Sequence, residues 1–312
     1  MFIEQELIRL APRKGTFLTV GTFDGVHLGH RHLIKELNKH AKDDNLLSGV
    51  ITFDPPPQSI LFPQRECLYI DRAKDRINLL ETSGAAMVFV LPFSPAVARL
   101  SAEEFVELLS KHLKMRGLLA GPNFALGRER EGNLNLLRAL GEKLGFRVKA
   151  SSPFFLDGQL VSSSAIRQAL STGDVALARK LMGRHFSIQA QVISSNKRGR
   201  VIGFPTANLD TSTGQMLPGR GVYATFAYQD GEKFSSVTNI GFRPTFKENV
   251  ETVETHLMDY KGKLYDKELR IEFVERIRNE QQFASMESLA LQIEQDIRKA
   301  RTLLADKTGC KT

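Results

Sequence analysis

Tryptophan is absent from the 312 residues, and only two cysteines occur, Cys67 and Cys310. Two thiols so far apart supply neither a disulfide framework nor a metal-ligand cluster, which suits a reducing compartment. No stretch approaches the roughly 20 apolar residues of a membrane span; AAMVFVLPF (85–93) reads as a buried strand. The opening MFIEQELIRLAPRKG carries Glu4 and Glu6 and no continuous apolar segment. A secretory leader is therefore not expected, and a cytoplasmic location is. GxGxxG is missing too, which leaves dinucleotide binding in the dehydrogenase manner unsupported. Two further patterns carry no weight. GRERE (127–131) alternates in sign, and GQMLPGRG (214–221) has P-loop spacing without the Lys-Ser/Thr that the chemistry needs.

What is present fits a globular protein. Hydrophobic residues make up 42% and charged residues 25%, enough for a proper core. The length points to two domains. A net charge of +8 with a pI near 9.5 favours polyanionic partners, either nucleic acid or a small polyphosphate such as ATP. Surplus lysine on a solvated surface would give the same number. Nucleic-acid binding would call for aromatics along one sheet face. With five tyrosines and no run of basic residues interleaved with aromatics, the chain lends that little support.

The first half alternates strand and helix. TFLTVGTF (16–23), LSGVITF (47–53), AAMVFVL (85–91), RGLLAG (116–121) and GFRVKA (145–150) read as strands. Between them lie helical segments at HLGHRHLIKELNKHA, at AKDRINLLETSG up to Gly84, and from Ser101, where Glu104 completes a capping box. Short apolar strands separated by amphipathic helices predict a doubly wound parallel sheet covered on both faces. Past Gly183 the rhythm changes to FSIQAQVI, GVYATFAYQ, KFSSVTNIG, VETHLMDY and KELRIEFVERI, with a turn at YQDGE. That pattern predicts a small antiparallel β-barrel closed by a C-terminal helix. Ser285 caps this helix, and Met286, Leu289, Ile293, Ile297, Ala300 and Leu304 form its packing stripe. The expected domains are 1–183 and 184–312.

GTFDGVHLGH (21–30) falls at the carboxyl end of the first strand, where such sheets bind ligands. A glycine-bounded turn into a helix presents free N–H groups and the positive end of the helix dipole to a phosphate. His27 and His30, three apart, point to one side, and Gly29 lets a nucleotide approach the backbone between them. Gly21, Phe23 and Asp24 complete the candidate nucleotide contacts. Zinc would need further ligands, and only Asp24 is near in sequence.

The stretch resembles the HxGH signature of the adenylyl- and cytidylyltransferase superfamily. VSSSAIRQAL (161–170) resembles that superfamily's SSTxIR motif. The resemblance implies that the two histidines hold a triphosphate, that Ser163 and Ser164 cap a helix start, and that Arg167 reaches the leaving pyrophosphate. GPNFALG (121–127) is similar to a GxDF/NFxFG motif of the bacterial FAD synthetase branch. Asn123 and Phe124 match, and Leu126 replaces an aromatic. TFDPPPQSIL (52–61) resembles that branch's TFxPHP segment, with Pro56 in place of histidine.

RGRVIGFPTANL (198–209) carries the second site. Gly199, Arg200 and Gly203 form a glycine-bearing arch suited to phosphates, which runs into rigid Pro205. Thr206 and Asn208 then offer hard oxygen ligands for Mg²⁺ carrying ATP phosphates. The string resembles the GFPTAN signature of riboflavin kinases. NIGFRPTF (239–246), VETHLMDY (253–260) and ERIRNEQQF (275–283) follow in that family's order. The resemblance implies that Glu254 is the catalytic carboxylate and that Arg278 contacts substrate. Ala190, Ser195 and Asp266 replace commonly found glycines. In full, the chain resembles the bacterial bifunctional riboflavin kinase/FAD synthetase family. That implies riboflavin, FMN and ATP as substrates, Mg²⁺ with the ATP, and FMN and FAD as products. The alternatives are a single surviving activity, or an adenylyltransferase for another phosphorylated vitamin.

Overall fold

The computed structural model describes residues 2–64, 68–121, 124–193, 203–212, 214–244 and 249–305. It divides into two compact units, 1–163 and 164–312.

The first unit holds helix α1 (Phe2–Arg9), strand β1 (Thr16–Val20), α2 (Leu28–Asp43) and β2 (Leu47–Phe53). Then come α3 (Pro57–Leu61), α4 (Ala73–Glu81), β3 (Met87–Leu91), α5 (Pro95–Ala98), α6 (Ala102–His112) and β4 (Met115–Ala120). Helix α7 (Leu134–Leu144) and β5 (Arg147–Ala150) complete the layer, and β6 (Phe155–Leu156) and β7 (Gln159–Leu160) form a small hairpin. All five sheet strands are parallel, in the order β3-β2-β1-β4-β5. Central β1 is buried along its whole length because helices cover both faces. Leu18 and Val20 pack into one core with Ile3, Leu7, Phe105, Leu109 and Leu137, while Phe17 packs into the other with Ile34, Leu37 and Leu80. Ser101 and Glu104 form the expected capping box of α6. The chain runs from β1 outward to β2 and β3, then returns to β4 on the other side of β1. The order therefore reverses beside β1, and ligands bind such sheets at that reversal, beyond the carboxyl ends.

The second unit contains most of α8 (Ser163–Ser171), then α9 (Val175–Met182) and six strands. These are β8 (Phe186–Ile193), β9 (Ala207–Leu209), β10 (Gly221–Gln229), β11 (Glu232–Pro244), β12 (Asn249–Leu257) and β13 (Glu268–Arg278). They close as an antiparallel barrel in the order β10-β11-β12-β9-β8-β13. Asp230 and Gly231, at φ 49° and 86°, make the two-residue hairpin between β10 and β11 that YQDGE foretold. The last two residues of the GFPTAN string together with Leu209, unremarked as a strand by their pattern, form β9. It pairs with β12 on one side and β8 on the other.

Helices α8 and α9 precede the barrel strands yet are tied to them. The Gly219 N–H donates to Leu170 O at 2.7 Å, the Tyr223 hydroxyl to Gly219 O, and Arg276 Nη1 to Thr172 O at 2.9 Å. Burial pushes the Tyr223 phenol up to about 12, so it remains a hydrogen-bond donor at any physiological pH. Inside the barrel a row of fully buried hydroxyls runs from Ser236 through Thr225 and Thr238 to Thr255 at 2.8–3.0 Å, each satisfying its neighbour.

The C-terminal helix (Met286–Ala305) lies on the outer wall. Ile297, Ala300 and Leu304 pack there against Val222, Ala224, Phe226 and Ile277. Met286 is instead 44% exposed, and the acidic Asp296 is buried on this helix. The Arg278 guanidinium explains that burial. Its Nε lies 3.0 Å from both Asp296 carboxylate oxygens and its Nη2 lies 2.8 Å from Oδ2. Removing one member of a buried pair strands the other charge. Asp296→Ala should therefore destabilise the second unit by about 3 kcal/mol, measured by urea unfolding of the full chain. An unchanged midpoint would show that the pair is dispensable.

Candidate functional site

The GTFDGVH turn leaves β1 at the reversal point, where Gly21 N donates to Ile51 O at 3.0 Å. Its backbone is contorted. Phe23, Gly25 and Val26 have φ of 50°, 87° and 29°, a region that a β-branched valine rarely enters. Burial of Phe23 and Val26 in the α2-side core holds the turn in place. Asp24 anchors it from the other side. Its carboxylate accepts from Ile70 N at 3.0 Å and from Asp71 N at 3.4 Å, and its carbonyl accepts from the Ser163 hydroxyl at 2.8 Å. Ser163, the first residue of α8, is thus fastened directly to the histidine turn. Ser164 and Arg167 follow on α8, in the second unit.

His27 is the N-cap of α2. Its Nδ1 accepts from His30 N at 3.2 Å, which puts the proton of the neutral ring on Nε2. The two imidazoles stack with centroids 3.6 Å apart, and Phe23 meets His30 edge-on at 5.1 Å. Burial, and second the neighbouring His27, hold the His30 imidazole well below its ordinary value of 6.5. His30 is accordingly neutral near pH 7, and its buried Nδ1 has no partner among the described residues. No acidic residue occupies the first turn of α2, so the positive end of its dipole is uncompensated. Two neutral donors at an uncompensated helix start fit an anion with several oxygens.

Gly29 has an internal reason to be glycine. A Cβ there would come within 3.0 Å of the Val161 carbonyl and 3.1 Å of the His27 ring. The small residue lets the histidine stack and the serine segment close on one another.

In the barrel, register assembles the second site. Asn208 stands opposite Glu254, and Glu254 opposite Asn239. Val253 and Thr255 are buried towards the interior, so Glu254 faces outward as its strand position implied. An amide, a carboxylate and a second amide thus form one row on the outer wall. Thr206 lies just before β9, and Gly203, at φ 86°, starts the described part of the arch. Asn239 escaped the sequence reading although its motif was noted, because only pairing shows its neighbour. Glu280 escaped as well. A Cβ on Gly241 would collide with the Glu280 carboxylate and approach Asn239 Nδ2 to 3.2 Å. Glu280 therefore fills, on the same wall, the space that a side chain at 241 would need. Arg278 commits Nε and Nη2 to Asp296, and Nη1 donates to Asn279 O.

Asn123, Gly199 and Arg200 lie outside the described residues, as do Ser195, Cys67 and Cys310. The other departures are accommodated. Phe124 and Leu126 pack with the core that contains Phe105, Pro56 is the N-cap of α3, and Ala190 is buried in β8. Asp266 sits at φ 64°, in the left-handed region that glycine enters most readily. Asp is among the residues that tolerate this best.

Residues 10–165 match the FAD synthetase family model and residues 182–304 the riboflavin kinase model. A bifunctional riboflavin kinase/FMN adenylyltransferase of Haemophilus influenzae is 38% identical over 290 residues, covering 92% of this chain and 94% of its own. The enzyme of the same description from Escherichia coli is 38% identical over 293 residues, 93% of each chain. That from Bacillus subtilis is 35% identical over 289 residues, 91% of this chain and 90% of its own. A solved structure described as a macrolide-efflux protein from Streptococcus pneumoniae superposes with a TM-score of 0.84 at 28% identity, over 94% of this chain and 96% of that one. Among the described residues of this chain, no helix is long and apolar enough to cross a membrane.

The depressed His30 titration has a measurable consequence. As pH falls below about 6.5, the unfolded chain takes up a proton at this position that the folded chain refuses, so stability falls. Replacing His30 by glutamine should remove this acid sensitivity, at most about 1.4 kcal/mol per pH unit. Urea melts of the first unit's transition at pH 7.5 and 5.5 test it. Identical pH slopes in both proteins would show that His30 is not buried neutral.

Proposed function

The chain belongs to the bifunctional riboflavin kinase/FMN adenylyltransferase family, and from that premise we propose which residues carry each reaction. The two reactions are phosphorylation of riboflavin by ATP to FMN, and transfer of AMP from a second ATP to FMN, giving FAD and pyrophosphate.

For adenylyl transfer the observation that carries the assignment is the stacked histidine pair at the start of α2. His27 and His30 bind the triphosphate and stabilise the charge that builds on it, aided by the helix start and by Gly21 of the turn. A bound polyphosphate reverses the penalty on His30, because an adjacent anion favours the charged ring. Ser163 and Ser164 belong to the same motif, and Arg167 takes the leaving pyrophosphate. Asn123 and Phe124 contact the nucleotide or flavin. Phe23, Asp24 and Gly29 act through the shape of the turn, as their burial and bonds support. No covalent intermediate is required, since positioning and charge stabilisation suffice.

For the kinase, Glu254 takes the proton of the attacking riboflavin hydroxyl. Thr206 and Asn208 meet Mg·ATP, beneath the arch of Gly199, Arg200, Gly203 and Pro205. The donor set fits Mg²⁺, which prefers hard oxygen ligands and binds by one or two protein groups plus substrate phosphates. A threonine hydroxyl and an asparagine oxygen beside a carboxylate are of that kind. In the substrate, Mg²⁺ neutralises phosphate charge. Arg278 supports the site by holding the C-terminal helix. The positive net charge suits polyanionic substrates, and the expected compartment is the cytoplasm.

Glu254→Gln should lower FMN formation from riboflavin by about 10²–10⁴ and leave FAD formation from supplied FMN intact. His27→Ala or His30→Ala should do the reverse, with FAD formation down by about 10²–10³. Chromatographic separation of FMN and FAD reads both reactions. A Glu254→Gln kinase rate within a few-fold of wild type would sink the account of the second site.

We place the functional boundary at 183/184, just before β8. Helix α9 nevertheless buries Val175, Ala178, Leu181 and Met182. A fragment from residue 164 should therefore keep kinase activity and melt higher than one starting at 184. The difference should be roughly 3–6 kcal/mol, the worth of two large apolar side chains. Equal melting of the two fragments would show that α9 contributes nothing to the barrel.

A further inference from the structure

We propose that His256 is a positioning residue for the kinase reaction, clamping the Pro205 carbonyl so that Thr206 is held at the Mg·ATP site. This rests on the assignment of Thr206 above. The ladder between β9 and β12 stops at the pair Ala207–Thr255. One step further, the register would set His256 opposite Thr206. In place of a backbone pair, the structure has a side-chain bond, with His256 Nδ1 lying 2.8 Å from Pro205 O. A carbonyl only accepts, so Nδ1 carries the proton. Pro205 has no N–H of its own, which leaves its carbonyl as the one backbone group available for a tether. Phe204 meets the same imidazole edge-on at 5.9 Å, so two consecutive residues of the arch rest on this ring.

His256 and Glu254 alternate around buried Thr255 and therefore share the outer wall. One strand thus presents both the carboxylate for the riboflavin hydroxyl and the clamp for the Mg·ATP segment. The clamp fixes the distance between them without touching either substrate. Loss of it should loosen the binding of Mg·ATP more than it slows the chemical step.

The test uses the full chain with His256→Ala, His256→Asn and His256→Gln, assayed for FMN formation at varied Mg·ATP. Asparagine sets an amide N–H near the place of Nδ1–H, whereas glutamine carries its donor one bond too far. The alanine and glutamine variants should raise KM for Mg·ATP about 5- to 10-fold, the loss of one modest hydrogen bond. Their kcat should fall less than this. Asparagine should restore KM to within about twofold of wild type, and FAD formation from supplied FMN should be unchanged throughout. A KM in His256→Ala within twofold of wild type overturns the proposal. Equal loss in the asparagine and glutamine variants does so too, whether or not it comes from misfolding. Thr206→Ala is measured beside them. If it leaves KM for Mg·ATP unchanged, the assignment of the loop itself fails. If it raises KM while His256→Ala does not, only the clamp is overturned.

Discussion

Three residues, Ala207–Leu209, close the barrel, and the kinase half of the molecule depends on their pairing. Strand β9 takes hydrogen bonds from β8 on one edge and β12 on the other. Without it both neighbours would expose an edge of unpaired N–H and C=O groups. The same pairing shapes the candidate site, because the register that satisfies the backbone also sets Asn208 beside Glu254. Shifting the strand by one residue would turn Asn208 inward and bring an apolar neighbour to the wall. Barrel closure and site assembly are therefore one constraint.

The first unit solves a different problem. A turn proposed to bind phosphate gains from open N–H groups, yet it must stay in place without a ladder to hold it. Here Asp24, Phe23 and Val26 do the holding from below, through backbone bonds to residues 70 and 71 and through burial in the core. The upper side is left to His27 and His30. Burial and the stacked His27 keep His30 uncharged. A pair of permanent cations stacked at this distance would repel. Neutral rings tolerate the contact and still donate.

Both halves show how little a departure from a family pattern need disturb the backbone. Asp266 adopts the left-handed conformation that glycine enters most readily, and Leu126 fills core space where an aromatic is common. Each replacement costs at a single position, while the surrounding pairing and packing are spread over many. Arg278 combines a motif position with a structural bond. Its place in a motif pointed to substrate, and in the fold its Nε and Nη2 also bind the buried carboxylate of Asp296.

By itself the sequence determined the two-part architecture, the parallel sheet, the capped helices and the letters of both sites. Those signals are local. Periodicity, cap residues and turn glycines act within a few positions, and motif strings can be read without knowing their neighbours. The six-stranded closure, the attachment of α8 and α9 to the barrel, and the partners of Asp24, Asn239, Gly241, His256, Arg278 and Glu280 were decided by tertiary structure alone. Apart from Asn239 with Glu254, 15 residues apart, and Arg278 with Asp296, 18 apart, these contacts join residues roughly 40–140 positions apart in sequence. No local preference selects such pairs. They arise because burying the cores, and in the barrel pairing every strand edge, leaves one arrangement in which the chain closes, and that arrangement chooses which side chains meet.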